Sequence, residues 1–174
     1  MHFILALLIP LFAHAEPPSI DLWGRDNLAW KNPELAGDLS DYNLGFHVLG
    51  TVTYTILHNK GDKPLEKTLA VVGNYGAAYL INAGVKHWIA RCRPDGSDCL
   101  SMYSGHTAIA FLGAGMVCAQ GDETACIVAI ATALPVPLLR IGAKKHWITD
   151  TAVAIPVAYG QGRYGILLVV DFKP

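Results

Sequence analysis

Ser104-Gly105-His106-Thr107-Ala108-Ile109-Ala110-Phe111-Leu112-Gly113-Ala114-Gly115-Met116-Val117-Cys118-Ala119 carries no charge apart from one histidine, and its reading decides the architecture. Its about 16 residues make a helix of ~24 Å at 1.5 Å per residue. Ser104 follows a loop and suits the N-cap position. Four more apolar segments lie around it, at 46–57, 65–89, 124–141 and 147–170, each bounded by polar or Gly/Pro punctuation. Ala, Leu, Ile and Val dominate, and the lengths suit helices better than strands. Asn59-Lys60-Gly61-Asp62-Lys63-Pro64 and Gln120-Gly121-Asp122-Glu123 read as separators. Pro135 and Pro137 should kink or end the fourth segment, and Pro156 with Gly160-Gln161-Gly162-Arg163 should interrupt the fifth. The expectation is an all-α fold, a helical bundle of about five core helices. Residues 16–45 are rich in Pro, Asp and Asn with scattered Trp23, Leu28 and Trp30. They read as an irregular N-terminal segment wrapped over the core, with room for one short helix. Asp38-Leu39-Ser40-Asp41 offers an N-cap there.

The 174 residues suit one domain with a sizeable core. A net charge of -1 excludes a general nucleic-acid binder, which carries a basic excess, so any positive site is local. Residues 1–15 read as an export signal, with an apolar run over 3–12 and the small-x-small pattern Ala13-His14-Ala15. The n-region, Met1-His2, lacks the usual Lys or Arg. The run is short for an uncleaved membrane anchor. Residues 16–174 are then the single mature domain. Export places Cys92, Cys99, Cys118 and Cys126 where disulfides persist. Three connectivities are open, of which Cys92–Cys99 with Cys118–Cys126 is the simplest; four buried thiols are the other reading. Among the segments, 68–85 is the best candidate for a membrane span, at the short edge of what a bilayer needs. If both close cysteine pairs form, both ends of 104–119 share an oxidising compartment and that helix does not cross a bilayer. A secreted or periplasmic protein, with possible membrane association, is the expectation.

Three polar clusters interrupt residues 86–150. His146 and Asp150 are spaced i,i+4, so on a helix they share a face and the carboxylate can orient the imidazole. Alone, such a pair is commonly a solvated contact. Arg140 falls off that face, but Gly142 offers a break that could turn it back. Ser104 and Gly105 at a helix start present backbone N–H groups that favour an anion, with His106 in the first turn. An ordinary capped helix with an incidental histidine reads the same way. Lys86 and Arg93 are spaced about two helical turns apart and can face one way, with Pro94 ending the helix at or before Arg93. Two cations so spaced are usually a solvated face.

Together, Lys86-x6-Arg93-Pro94, Ser104-Gly105-His106 and Arg140-x5-His146-x3-Asp150 resemble the three-part signature of the type 2 phosphatidic acid phosphatase superfamily. That superfamily takes in lipid phosphatases, class A acid phosphatases and vanadium haloperoxidases. Two positions depart: Tyr103 stands where the family usually has Pro, and Leu139 where it usually has Ser. The resemblance implies a helical bundle and a phosphatase that needs no metal and no cofactor. Lys86, Arg93 and Arg140 would bind phosphoryl oxygens together with the backbone N–H groups of Ser104 and Gly105. His146 would be the nucleophile, Asp150 its orienting partner and His106 the general acid and base. The partner would be a phosphorylated small molecule or lipid. Two other functions fit the same residues: a vanadate-dependent haloperoxidase, and a phosphate or lipid-headgroup binder without turnover.

Overall fold

The computed structural model describes residues 16–59, 61 and 63–165, so the export signal expected at 1–15 lies outside the described residues. Seven helices follow one another among them: α1 (Ser19–Asn27), α2 (Pro33–His58), α3 (Pro64–Ile89), α4 (Gly105–Ala119), α5 (Glu123–Ala133), α6 (Pro135–Gly142) and α7 (Ile148–Tyr164). No strand occurs among the described residues, and the all-α bundle stands.

The starts are set locally. Asn32 accepts a hydrogen bond from the Leu35 N–H, with Pro33 preset at the first helical position of α2. Ser104 caps α4 through the Thr107 N–H, and Asp122 caps α5 through the Ala125 N–H. The expected break at Pro135 separates α5 from α6. The break expected at Pro156 does not occur: α7 runs through it to Tyr164. Packing of Ala154 and Ala158 in the core holds the helix on either side.

α4 is the axis of the bundle. Leu112, Ala110, Ala114 and Met116 are almost fully buried, and they meet Ala154 and Ala158 of α7 in one apolar core. The two helices touch backbone to backbone at Gly115 and Gly162. A Cβ on Gly115 would lie 2.8 Å from the Arg163 nitrogen, and one on Gly162 would lie 2.9 Å from the Met116 nitrogen. This contact sets the axial register of α4 against α7 and brings their N-termini to the same end of the bundle.

The N-terminal segment corrects the expectation. It is largely helical, and Asp38–Asp41 lie inside α2 rather than at a helix start. Its inner face carries Ala36, Ser40, His47, Thr51 and Thr55, whereas Leu35, Leu39, Tyr42, Phe46 and Leu49 point outward. α3 likewise exposes Leu65, Leu69, Val72, Tyr79 and Leu80. Among the described residues, the run long and apolar enough to cross a membrane is Glu123–Gly142, not 68–85. Disulfides join Cys92 to Cys99 and Cys118 to Cys126, the two close pairs.

Gly115→Val should force the α4–α7 contact apart and cost about 1–3 kcal/mol or more, as overpacking does. Thermal melting checks this; an unchanged midpoint would contradict the contact's role.

Candidate active site

Every candidate residue lies near one end of the bundle, where α3 ends and where α4 and α7 begin. α3 stops at Ile89, followed by Ala90 in a left-handed turn at φ 50°. Lys86 is therefore on the helix while Arg93 is on the loop, not two turns further along a helix as its spacing suggested. The two still converge: Lys86 Nζ donates to the Leu100 carbonyl at 2.7 Å, and Arg93 Nη2 approaches the same oxygen at 3.5 Å. α6 ends at Gly142, and Lys144 at φ 55° reverses the chain, so that the Lys145 N–H donates to the Arg140 carbonyl. The turn leaves Arg140 facing the other cations.

His146 lies just before α7, and Asp150 lies in that helix's first turn, so the pair meets across a helix start rather than along a helix face. His146 Nδ1 is 3.7 Å from Asp150 Oδ2, longer than a formed hydrogen bond. His146 Nε2 is 3.5 Å from Arg93 Nη1. A guanidinium only donates, so Nε2 is the accepting nitrogen and the proton sits on Nδ1, toward Asp150. The Nε2 lone pair thus faces Arg93.

Asp150 is fully buried and closely held. Arg91 Nη1 donates to Oδ1 at 2.6 Å, the Trp147 N–H donates to Oδ2 at 2.9 Å, and the Ser101 hydroxyl donates to Oδ2 as well. Arg91 also donates to Asp21 Oδ2 at 2.6 Å, and Asp21 accepts from the Thr149 backbone and hydroxyl. Arg91, Ser101, Thr149 and Asp21 went unread in the sequence. Arg91 hides inside the x6 spacer, and Asp21 sits in the segment read as irregular. Removing one partner of such a buried ionic group costs about 3–5 kcal/mol.

Ser104 does two structural jobs. Its N–H donates to the Asp150 carbonyl at 3.2 Å and its Oγ caps the helix, so its N–H is committed elsewhere. The donors left at the start of α4 are the N–H groups of Gly105 and His106, which have no intrahelical partner. Asn82 of α3 fastens the preceding loop by donating to the Tyr103 carbonyl at 2.9 Å. Tyr103 and Leu139, the two departures from the signature, are buried side chains.

The electrostatics follow from burial. Burial, then Arg93 and Arg140, press the Lys86 ammonium down to about 8. Burial and Arg93 press Arg140 down to about 10. Such mutually repelling, half-desolvated cations favour an anion among them. Arg140 Nε is buried without a partner, and Arg140 Nη1 donates to Ser40 Oγ at 2.9 Å. Burial drives the His146 ring down to about 3, so it is neutral and nucleophilic at neutral pH. Burial pushes the Asp150 carboxyl up, but its His146, Arg91 and Ser101 contacts together hold it below its ordinary value.

An apolar cavity of about 350 Å³ opens beside this site, lined by Leu44, Ala78, Tyr79, Ala83, Ala108 and Ile109, and it reaches Lys86 and His106. An open polar cleft of about 910 Å³ meets His106 and Arg140 from another direction. No family model matches the sequence, and no curated protein does. Among solved structures, the fold matches the crystal structure of a transmembrane PAP2-type phosphatidylglycerolphosphate phosphatase from Bacillus subtilis. The TM-score is 0.65 over 92% of this chain and 90% of that one, at 19% identity. This chain has the fold of a PAP2-type phosphatase. The architecture expected from the three clusters is therefore the observed one.

The buried histidine implies acid sensitivity. Unfolded, His146 takes a proton near pH ~6.5; folded, it refuses one until about 3. Its contribution to stability is complete above the unfolded value and lost as pH falls toward the folded one. The depressed Asp150 adds to the loss below pH ~3.9. The unfolding midpoint should drop on acidification below pH ~6.5, and His146→Gln should flatten that slope. A slope unchanged in the variant would refute the assignment.

Proposed function

We propose that this chain is a phosphatase that hydrolyses phosphate monoesters or diphosphates of lipids through a phosphohistidine, without a metal. One observation carries the reading: Lys86, Arg93 and Arg140 converge at one end of the bundle with a neutral, buried His146 whose Nε2 faces Arg93. The cations and the free N–H groups of Gly105 and His106 stabilise charge on the phosphoryl oxygens. His146 Nε2 attacks phosphorus as the ester P–O bond breaks, and Asp150 stabilises the cationic ring that results. His106 gives its proton to the departing alkoxide. It then takes a proton from water as that water displaces the histidine nitrogen and releases phosphate.

The apolar cavity beside Lys86 and His106 supports an acyl or prenyl chain on the leaving group. The outward apolar faces of α2 and α3 support membrane association, since contiguous apolar surface on this scale marks a contact with lipid or protein. The matched Bacillus subtilis enzyme acts on a phosphorylated lipid, which supports the same substrate class. Export to the periplasm or cell envelope, with residues 1–15 as its signal, completes the reading.

His146→Ala should lower phosphate release from a lipid phosphate by about 10³-fold or more, the scale of a lost nucleophile. Asp150→Asn should cost less, because the nucleophile remains. Wild-type turnover in the His146 variant would sink the mechanism, and loss of wild-type activity in chelator would sink its independence of metal.

A further inference from the structure

We propose that Asp41, on α2, is a positioning residue for the general acid His106, holding its ring and its proton until the leaving group takes that proton. The inference rests on the phosphatase reading and adds a residue from a helix that carries none of the three clusters.

Asp41 Oδ1 lies 2.7 Å from His106 Nε2 and 3.8 Å from Arg140 Nη1. The residue before it, Ser40, accepts a hydrogen bond from Arg140 Nη1. One turn of α2 thus reaches both the acid and a phosphate-binding cation. The accessibilities differ usefully: the Asp41 side chain is 66% exposed and the His106 ring 25% exposed. Asp41 faces the open polar cleft, while His106 also borders the apolar cavity. The carboxylate therefore stands between solvent and the ring, where it can stabilise the proton that the ring must deliver into an apolar pocket.

The surroundings explain why such a residue is needed. Asp38 and Asp41 of α2, Lys86 and His87 of α3, Arg140 of α6, and the loop residues Asp95 and Lys145 border the two openings that meet at His106. Burial presses His106 down to about 4, and Arg140 and Lys86 press in the same direction; Asp41 is the group that opposes them. A general acid must still hold its proton when the ester oxygen departs. As the His146 N–P bond forms and the P–O bond breaks, the electron pair goes to the leaving oxygen. That oxygen takes the His106 proton, and water later returns one. With Asp41 gone, Arg140 and Lys86 would press on the ring without the carboxylate that opposes them.

The experiment uses the full chain in detergent with two substrates, an alkyl phosphate and p-nitrophenyl phosphate, whose aryl leaving group needs little protonation. Asp41→Asn should lose about 10-fold on the alkyl substrate at neutral pH, one pKa unit of acid strength, and little on the aryl one. Lowering the acid's pKa should move the alkaline limb of kcat/KM to lower pH. Asp41→Glu should restore both. Equal losses on the two substrates, a superimposable pH profile, or a gain on both substrates would overturn the proposal. His106→Ala separates the readings: if it shows the leaving-group dependence and Asp41→Asn does not, only the role of Asp41 falls. Absence of phosphate release by the wild type from either substrate would overturn the role of Asp41 and the phosphatase reading together.

Discussion

The site depends on one buried carboxylate. Asp150 has no access to solvent, so its charge survives only because Arg91, Ser101 and the Trp147 N–H surround it. Each of those donors comes from a different part of the chain's path around the site. Arg91 follows the turn that ends α3, Ser101 comes just after the loop closed by Cys92–Cys99, and Trp147 immediately precedes α7. Arg91 is held in turn by Asp21 of α1, which ties the N-terminal segment to the same charge. The Asp150 carbonyl also receives the Ser104 N–H, joining the start of α7 to the start of α4. An uncompensated carboxylate here would cost several kcal/mol. The network therefore locks together the segments that position the cations and histidines.

The bundle makes this possible through a small-residue contact far from the chemistry. Gly115 and Gly162 let α4 and α7 approach backbone to backbone, which fixes how their N-termini line up. A slip of one turn, about 5.4 Å, would separate the Ser104 N–H from the Asp150 carbonyl. The site also has two faces of unlike chemistry, an apolar cavity against α3 and an open polar cleft against α2. His106 stands where they meet.

Much of the fold was legible because its signals are local. Helix-length apolar segments, Ser104 and Asp122 as caps, and Pro135 as a break act through a few neighbouring residues. The N-terminal helices were missed for a physical reason. α2 turns Leu35, Leu39, Tyr42, Phe46 and Leu49 outward and buries Ala36, Ser40, His47, Thr51 and Thr55, the reverse of the pattern that marks a helix in water. Pro156 misled in the other direction, since tertiary packing carries α7 through it.

The sequence by itself determined the helical class, the close cysteine pairing as the simplest choice, and the spacing of Lys86, Arg93, His106, Arg140, His146 and Asp150. Those features are matters of local propensity and short loops. Only the tertiary structure decided that Arg91 holds Asp150 and Asp21 holds Arg91, that the Ser104 N–H serves the fold, and that Asp41 reaches His106. Such contacts join residues far apart in the chain, and no local pattern records them. Burial also decides the protonation of His146, because desolvation is a property of the folded core and not of the residue.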